Sequence, residues 1–479
     1  MRTEIVIRHI GSVLIFNAIF LFISFLISLY LSETSAVALL YSSLVAVVFG
    51  VFPLIYVRPS NYLTILEGTS IVVFGWIATC IIGALPYILW GGEFSVINAW
   101  FESVSGFTTT GSTIIQDIES LPKGLLFWRS STHWLGGIGI ILFTILILPG
   151  SNTSRFVLLN TEMSPLAKTN FKYRAAEILR ILIYVYLGLT LLETIMLHIA
   201  GMDLFDALNH SFATIATGGF STKNLSIAHY NSVSIEIIIM VFMVLSGVHF
   251  GLTFNTILGK SNNLFRSSIF KAYVSFIFIG IVLVAFKLYL HGDYSWWNSI
   301  RYASFQVISL GTTTGFATVD TAHWPSFTHI ILIYFTIQCA MIGSTSGGLK
   351  FDRVFIFFKA IVKQIKSIQH PHAVISLKID GNSINEKTEL HTMIFIIIYM
   401  GIILLTTFLL TFLDIDTFTA FSSSAATIGN VGPGFENVSS LGNYSNLPGL
   451  GKFILTINML LGRLEIFGVI SLLFIKSWK

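Results

Sequence analysis

Long apolar runs alternate along this chain with short polar ones, and the apolar runs come in two lengths. A helix needs about 20 mostly apolar residues to cross the hydrocarbon core of a bilayer. The first two runs of that length, Ile10–Leu31 and Ala36–Val57, are joined by the polar turn Ser32–Ser35 and closed by Arg58-Pro59-Ser60-Asn61. After them one pattern recurs four times: a long run, a half-length run, a Thr/Gly-rich stretch and another long run. The first copy reads Thr69–Trp90, Val96–Ser105, Phe107–Ser112 and Leu125–Leu148. The second reads Ile178–Ala200, Leu204–Thr214, Ala216–Gly219 and Ser232–Leu258. The third has Ser268–Leu290, Trp296–Ser309, Thr312–Gly315 and a long segment from Thr328 to Ile361. The fourth has Leu390–Leu413, Phe418–Ile428, Gly429–Gly432 and Phe453–Ile475. The pattern predicts ten spanning segments and four half-helices that enter and leave on one side.

The polar stretches after the half-length runs are alike. The fullest is Ser105-Gly106-Phe107-Thr108-Thr109-Thr110-Gly111-Ser112. Looser copies are Thr217-Gly218-Gly219-Phe220-Ser221, Gly311-Thr312-Thr313-Thr314-Gly315-Phe316 and Gly429-Asn430-Val431-Gly432-Pro433-Gly434. Aligning Gly111, Gly218, Gly315 and Gly432 gives steps of 107, 97 and 117 residues. One Thr-Thr-Thr-Gly is an ordinary polar turn, whereas four in this setting mark an internal repeat. Non-helical backbone at membrane depth is tolerated only where it is buried in protein or lines a wet cavity. Four such loops meeting on one axis pool their carbonyls, and a carbonyl ring replaces the water around a permeating cation. Glycine lets the main chain turn inward, threonine adds a hydroxyl acceptor, and each half-helix aims its C-terminal partial negative charge at the same place. The expected fold is an all-α integral membrane protein, with four helix–pore loop–helix repeats around one central pore and two additional N-terminal transmembrane helices. The divisions are 1–60 for the extra pair, then repeats at 61–165, 166–262, 263–375 and 376–479.

Composition agrees with a membrane location. Hydrophobic residues make up 54% of the 479 and charged residues 10%, against about a quarter charged in a soluble protein. Twenty Lys and Arg fall on the side of the N-terminus, among them Arg155, Lys350, Arg353, Lys359, Lys363, Lys366 and Lys476. Six fall opposite, Lys123, Arg129, Lys223, Lys287, Arg301 and Lys452. This bias puts both termini in the cytoplasm and brings the four loops in from outside. Acidic residues including Glu93, Glu102, Asp117, Asp206 and Glu436 lie on the outer side, where an acidic mouth concentrates cations. The two cysteines, Cys80 and Cys339, lie in apolar runs and read as packed thiols. His133 and His249 read as packed histidines, and His370-Pro371-His372 as a solvated turn.

Two features interrupt the apolar pattern of the last two repeats. Gly343-Ser344-Thr345-Ser346-Gly347-Gly348 breaks the third return segment at mid-depth, since glycine and hydroxyl residues disfavour helix there. It is either a flexible break with close packing or an intramembrane loop. Arg463 stands in the last apolar run, where an arginine costs at least about 2.5 kcal/mol unless its donors are satisfied. Loop carbonyls and hydroxyls suit those donors. Glu465, two positions on, does not share a helical face with Arg463, and its partner is open.

With these motifs the chain resembles the Trk/Ktr/HKT superfamily of potassium transporters, most closely its bacterial TrkH-type branch. The resemblance rests on Ser105–Ser112, the run His133-Trp134-Leu135-Gly136-Gly137-Ile138-Gly139, Gly343–Lys350, Asn430–Gly434 and Gly462-Arg463-Leu464-Glu465. It implies a potassium filter built from the carbonyls of Thr109, Thr110, Ala216, Thr217, Thr313, Thr314, Asn430 and Val431, backed by Gly111, Gly218, Gly315 and Gly432. It implies that Gly343, Ser344, Thr345, Ser346, Gly347 and Gly348 form a gating loop with Arg463 beside it. It further implies a bacterial inner-membrane location, a homodimer and a cytosolic TrkA-like ring. The chain has no P-loop and no Gly-x-Gly-x-x-Gly after a strand, so any nucleotide belongs to that ring and the chain itself calls for no cofactor. K⁺ is then the transported ion and the only metal, held at the filter. Nothing points to nucleic acid, and no nucleophile or metal-ligand cluster points to an enzyme. A carrier coupling K⁺ to H⁺ or Na⁺ is the alternative to a channel-like pore, and Glu193 is the nearest acidic residue to serve it.

Overall fold

The fold follows from which apolar runs stay helical throughout and which do not. The computed structural model describes residues 1–60, 62–137, 139, 175–259, 263–373 and 375–473. Six expected spans are continuous helices: α1 (Thr3–Tyr30), α2 (Ala36–Tyr56), α3 (Ile65–Trp90), α6 (Ala175–Ile199), α10 (Ser268–His291) and α14 (Glu386–Thr411). The half-helices are α4 (Val96–Phe107), α7 (Leu204–Ile215), α11 (Trp296–Gly311) and α15 (Thr417–Ile428). Among the described residues the architecture is all-α, as the pattern predicts, apart from a small antiparallel pairing of Lys378–Ile379 with Asn382–Ser383 and an isolated bridge between Gln338 and Leu349.

The return segments differ from the expectation of straight spans. The second, expected as one span over Ser232–Leu258, is α8 (Val233–Gly247) and α9 (Phe250–Ile257), bent by 108°. At the bend His249 accepts from the N–H of Gly251 at 3.0 Å, and Phe250 N–H leaves the helix to donate to Gly343 O at 3.0 Å. The third is α12 (Ser326–Ile337), non-helical backbone over 338–350, and α13 (Phe351–Gln369). The fourth, expected as Phe453–Ile475, is α16 (Gly449–Arg463) and α17 (Ile466–Leu473), separated by Glu465 at φ 57°. Of the first return segment, α5 (Lys123–Gly137) is described. Apart from Gly139, the rest of Leu125–Leu148, and the basic positions Arg155, Lys168, Lys172, Arg174, Lys260, Lys476 and Lys479, lie outside the described residues.

Each half-helix starts where a capping side chain stands. Ser95 accepts from Asn98 N–H at 3.3 Å, Asp203 from Phe205 N–H at 3.1 Å, Ser295 from Asn298 N–H at 3.4 Å and Asp416 from Phe418 N–H at 3.0 Å. Such caps fix a helix start that apolar periodicity alone leaves loose. The N-terminal pair is tied to the first repeat at Glu67. Its carboxylate closes a capping box with Thr64 and takes Arg2 Nε and Nη2 at 2.9 and 2.8 Å. The thiols of Cys80 and Cys339 are free and buried, and His370, Pro371 and His372 lie exposed in a turn.

Helices α1 and α2 cross at two glycines. A Cβ on Gly50 would stand 2.6 Å from Ile15 Cγ1 and 2.9 Å from Gly11 O. Gly50→Leu is therefore expected to destabilise the protein by about 1–3 kcal/mol through overpacking, read as a lower melting temperature in detergent.

Candidate functional site

The four Thr/Gly stretches adopt one backbone course. Each half-helix ends on a right-handed residue: Thr108, Ala216, Thr312 and Gly429. The next residue is left-handed in every case, with φ of 55° at Thr109, 54° at Thr217, 62° at Thr313 and 52° at Asn430. Non-glycine residues seldom adopt that region, and they hold it only when the surroundings enforce it. Two residues further on come left-handed glycines, Gly111 at 81°, Gly219 at 79°, Gly315 at 79° and Gly432 at 101°.

This corrects the register of the second loop by one residue. Gly219, not Gly218, stands with Gly111, Gly315 and Gly432, and Thr217–Gly218 stands where Ala216–Thr217 was expected. Ala216 is the helix cap. Spacing misleads here because residues 218 and 219 are both glycine and the loop lacks the Thr-Thr-Thr run that marks the first and third.

The four loops close on one another. A Cβ on Gly111 would lie 2.0 Å from Gly218 O, one on Gly219 2.1 Å from Thr314 O, one on Gly315 2.2 Å from Val431 O, and one on Gly432 2.5 Å from Thr110 O. The contacts run from first loop to second, second to third, third to fourth and fourth to first. Each glycine is needed twice over, for its φ and for the approach of the neighbouring carbonyl. The threonine hydroxyls turn to each other, Thr108 with Thr110 at 2.7 Å and Thr312 with Thr314 at 2.9 Å. Among the described residues no hydrogen bond is donated to the carbonyls of Thr109, Thr110, Thr217, Thr313, Thr314, Asn430 or Val431. Buried carbonyls are nearly always partnered, so this set is available to a ligand.

The surroundings grip the loops from behind. His133 shares a hydrogen bond with Gly106 O at 2.7 Å, and its ring stacks on Phe220 at 4.0 Å. Gly136 lets the helix come against Phe107 O, where a Cβ would stand 1.8 Å away. Asn430 donates to Thr110 Oγ1 and to Met459 O, both at 2.9 Å.

The Gly343–Gly348 stretch is packed against these loops. Its flanks pair with each other, Cys339 N–H to Leu349 O at 2.9 Å and Phe351 N–H to Ala340 O at 3.0 Å. Thr345 donates to Ile215 O at 3.0 Å, at the end of the second half-helix. Gly347 lies against Asn430, where a Cβ would meet Oδ1 at 2.2 Å. Arg463 donates to Thr345 O at 2.5 Å, Thr109 Oγ1 at 3.2 Å and Gly137 O at 2.9 Å, and also to Gly136 O. One guanidinium thus joins the intramembrane loop, the first Thr/Gly loop and α5.

Three charged residues stand elsewhere than their sequence positions implied. Glu102, expected at the acidic mouth, is buried and takes Arg129 Nε at 2.6 Å. Lys350, expected among the cytoplasmic cations, is buried and donates to the carbonyl and, at 2.8 Å, the hydroxyl of Ser346. Arg353 is likewise buried and pairs with Glu465, which supplies the partner left open above. Hydropathy alone does not reveal these pairings: Glu102–Arg129 and Arg353–Glu465 join residues far apart in sequence, and Lys350 turns back onto the loop four residues before it.

Known proteins resemble this chain in sequence and in fold. A family model described as TrkH, cation transport protein, matches residues 38–478. The Trk system potassium uptake protein TrkH of Escherichia coli K12 is 37% identical over 417 residues, covering 86% of each chain. TrkI of Halomonas elongata, also named a Trk system potassium uptake protein, is 30% identical over 468 residues, covering 96% of this chain and 94% of its own. The crystal structure of the potassium transporter TrkH from Vibrio parahaemolyticus superposes with a TM-score of 0.89 at 30% identity over the whole of both chains.

Gly219→Ala forces a side chain against Thr314 O in a left-handed conformation, at a cost of about 1–3 kcal/mol. A lower melting temperature in detergent is expected, whereas Gly188→Ala in α6, where a Cβ meets nothing within 4 Å, lowers it not at all.

Proposed function

The chain belongs to the TrkH family of cation transport proteins, and from that premise we propose that it takes up K⁺ through a channel-like pore whose filter is a ring of main-chain carbonyls. One observation carries the reading: each loop's glycine is seated against the next loop's carbonyl, at Gly218, Thr314, Val431 and Thr110, in an unbroken circuit. A circuit of oxygens contributed by four segments is what replaces a hydration shell. The filter then consists of the carbonyls of Thr109, Thr110, Thr217, Gly218, Thr313, Thr314, Asn430 and Val431, with Gly111, Gly219, Gly315 and Gly432 supporting them.

The loop from Gly343 to Gly348 is the gate, and Arg463 its latch. What supports this is the position of Thr345 and Gly347 against the inner ends of two pore loops, with a guanidinium bound to the loop's own carbonyl. A cation held below the ring opposes a second one by charge as well as by bulk. Opening requires the loop to withdraw, and short glycine-rich segments with few apolar contacts are the ones that move. A cytosolic nucleotide-binding ring and a second copy of the chain belong to the same reading. Helix α13 supports them, because it leads directly out of the loop and exposes Phe358, Val362 and Ile365. The membrane is the bacterial inner membrane, with the N-terminus in the cytosol.

A coupled carrier is the second reading, and Glu193 favours it. Its carboxyl is buried within α6 and has no ion-pair partner among the described residues, and such groups inside spans often mark ion or proton paths. In reconstituted liposomes a channel reverses its current at the K⁺ equilibrium potential whatever the H⁺ and Na⁺ gradients, whereas a coupled carrier does not.

Arg463→Ala and deletion of Ser344–Gly347 are each expected to raise rubidium uptake several-fold in liposomes while leaving membrane insertion intact. Unchanged uptake in both removes the gate assignment.

A further inference from the structure

Ion pairs reach the half-helices of the second and third repeats at Asp206–Lys223 and Arg301–Glu236, but at one aligned position near the half-helix end the first repeat stands apart from the other three. Five residues before the half-helix ends at Phe107, Ile215, Gly311 and Ile428 stand Glu102, His210, Gln306 and Ser423. His210 Nε2 shares a hydrogen bond with the Ser221 hydroxyl at 2.9 Å, and Gln306 Nε2 donates to Val319 O at 3.1 Å. In the fourth repeat Ser423 donates within its own helix at 2.6 Å, and the adjacent Ser422 takes Phe435 N–H at 3.0 Å. None of these ties is an ion pair, and each stays within its own repeat.

Glu102 departs from this by forming an ion pair, and its partner Arg129 leaves the repeat. Its carboxylate accepts from the Thr113 hydroxyl and the Ile114 N–H, each at 3.1 Å, just beyond the first pore loop. It also takes Arg129 Nε at 2.6 Å. Arg129 then crosses to the second repeat, donating through Nη1 to Ser221 O at 2.9 Å, with its guanidinium carbon 3.5 Å from the centre of the Phe220 ring. Both side chains are almost wholly enclosed, 3% exposed for Arg129 and 0% for Glu102. The far side of the same segment is held by the fourth repeat. Tyr444 N–H donates to Thr113 O at 2.8 Å, and Tyr444 Oη donates to Gly432 O at 2.8 Å.

A buried ion pair is a poor source of stability, because desolvating two charges offsets most of their attraction. Its strength is direction: a guanidinium fork fixes the angle and distance of what it joins. Functional geometry needs its supports locked to about half an ångström.

We propose that Glu102 and Arg129 are positioning residues for cation selection, a charged strut that sets the distance between the first and second pore loops. The proposal rests on the reading of those loops as the filter. Neither side chain touches the ion; they act through Thr113–Ile114 on one side and Ser221 on the other. A looser strut lets the ring contract around a smaller cation, so discrimination falls before transport does.

The test uses the full-length protein in liposomes, with rubidium uptake competed by K⁺ and by Na⁺. In Glu102→Gln and Arg129→Lys the preference for K⁺ over Na⁺ is expected to drop about tenfold or more, as small misplacements in such sites do, while uptake persists. Glu102→Asp is expected to recover part of the loss. Unchanged preference in Glu102→Gln and Arg129→Lys overturns the proposal. If Glu102→Gln fails to insert while Arg129→Lys keeps its preference, or if neither inserts, the pair serves folding and the proposal is likewise overturned. The parent protein separates this from the underlying reading: if it shows no preference for K⁺ to begin with, the filter assignment itself has failed.

Discussion

Main-chain carbonyls inside a bilayer have no water to turn to, and helices solve that by bonding every one of them internally. This chain gives up that solution at four places, each just past the end of a half-helix. There the left-handed residues Thr109, Thr217, Thr313 and Asn430 swing the backbone off the helical path. Carbonyls thereby lose their helical partners, and the protein must surround them with structure or offer them a ligand. The rest of the molecule is arranged around that requirement. Half-helices begin at Ser or Asp caps, glycines admit neighbouring carbonyls, and a wall of buried side chains such as His133, Trp128 and Phe220 keeps lipid away.

The same constraint explains why every described return segment that can be followed inward is broken. A straight helix through the inner half would fill the space beneath the ring. Instead the chain leaves helical geometry at Val248–His249, over 338–350 and at Leu464–Glu465. The three breaks contact one another, with Phe250 N–H on Gly343 O, Gly348 N–H near Gly462 O and Arg353 on Glu465. Charged side chains work as ties here rather than as surface decoration. Lys350 and Arg463 hold adjacent residues of one loop, Ser346 and Thr345.

Much of this was legible in the sequence, and the failures have physical causes. The half-helices and the break at Gly343–Gly348 are visible in run length and in Thr/Gly clusters, although the sequence leaves open whether that break is a flexible hinge or a packed loop. The bend at Val248–His249 and the stop after Arg463 do not, because residues on both sides stay apolar and hydropathy averages across the break. In the second loop two consecutive glycines offer two registers, and the left-handed turns at Thr217 and Gly219 distinguish them. Glu102 and Arg129 look like outer-side charges when each is read alone. Their burial depends on folding a half-helix back beside the next segment, which a linear reading does not contain.

Carrying all four quadrants on one polypeptide has an evolutionary corollary. In a pore assembled from four identical subunits, any inherited change to the loop arrives four times at once. Here Asn430 occupies the place that threonine holds in the other three copies, and its side chain reaches both the neighbouring loop and the segment leading to Arg463. On a single chain one copy can thus differ where its three siblings agree, and carry a contact that they do not make.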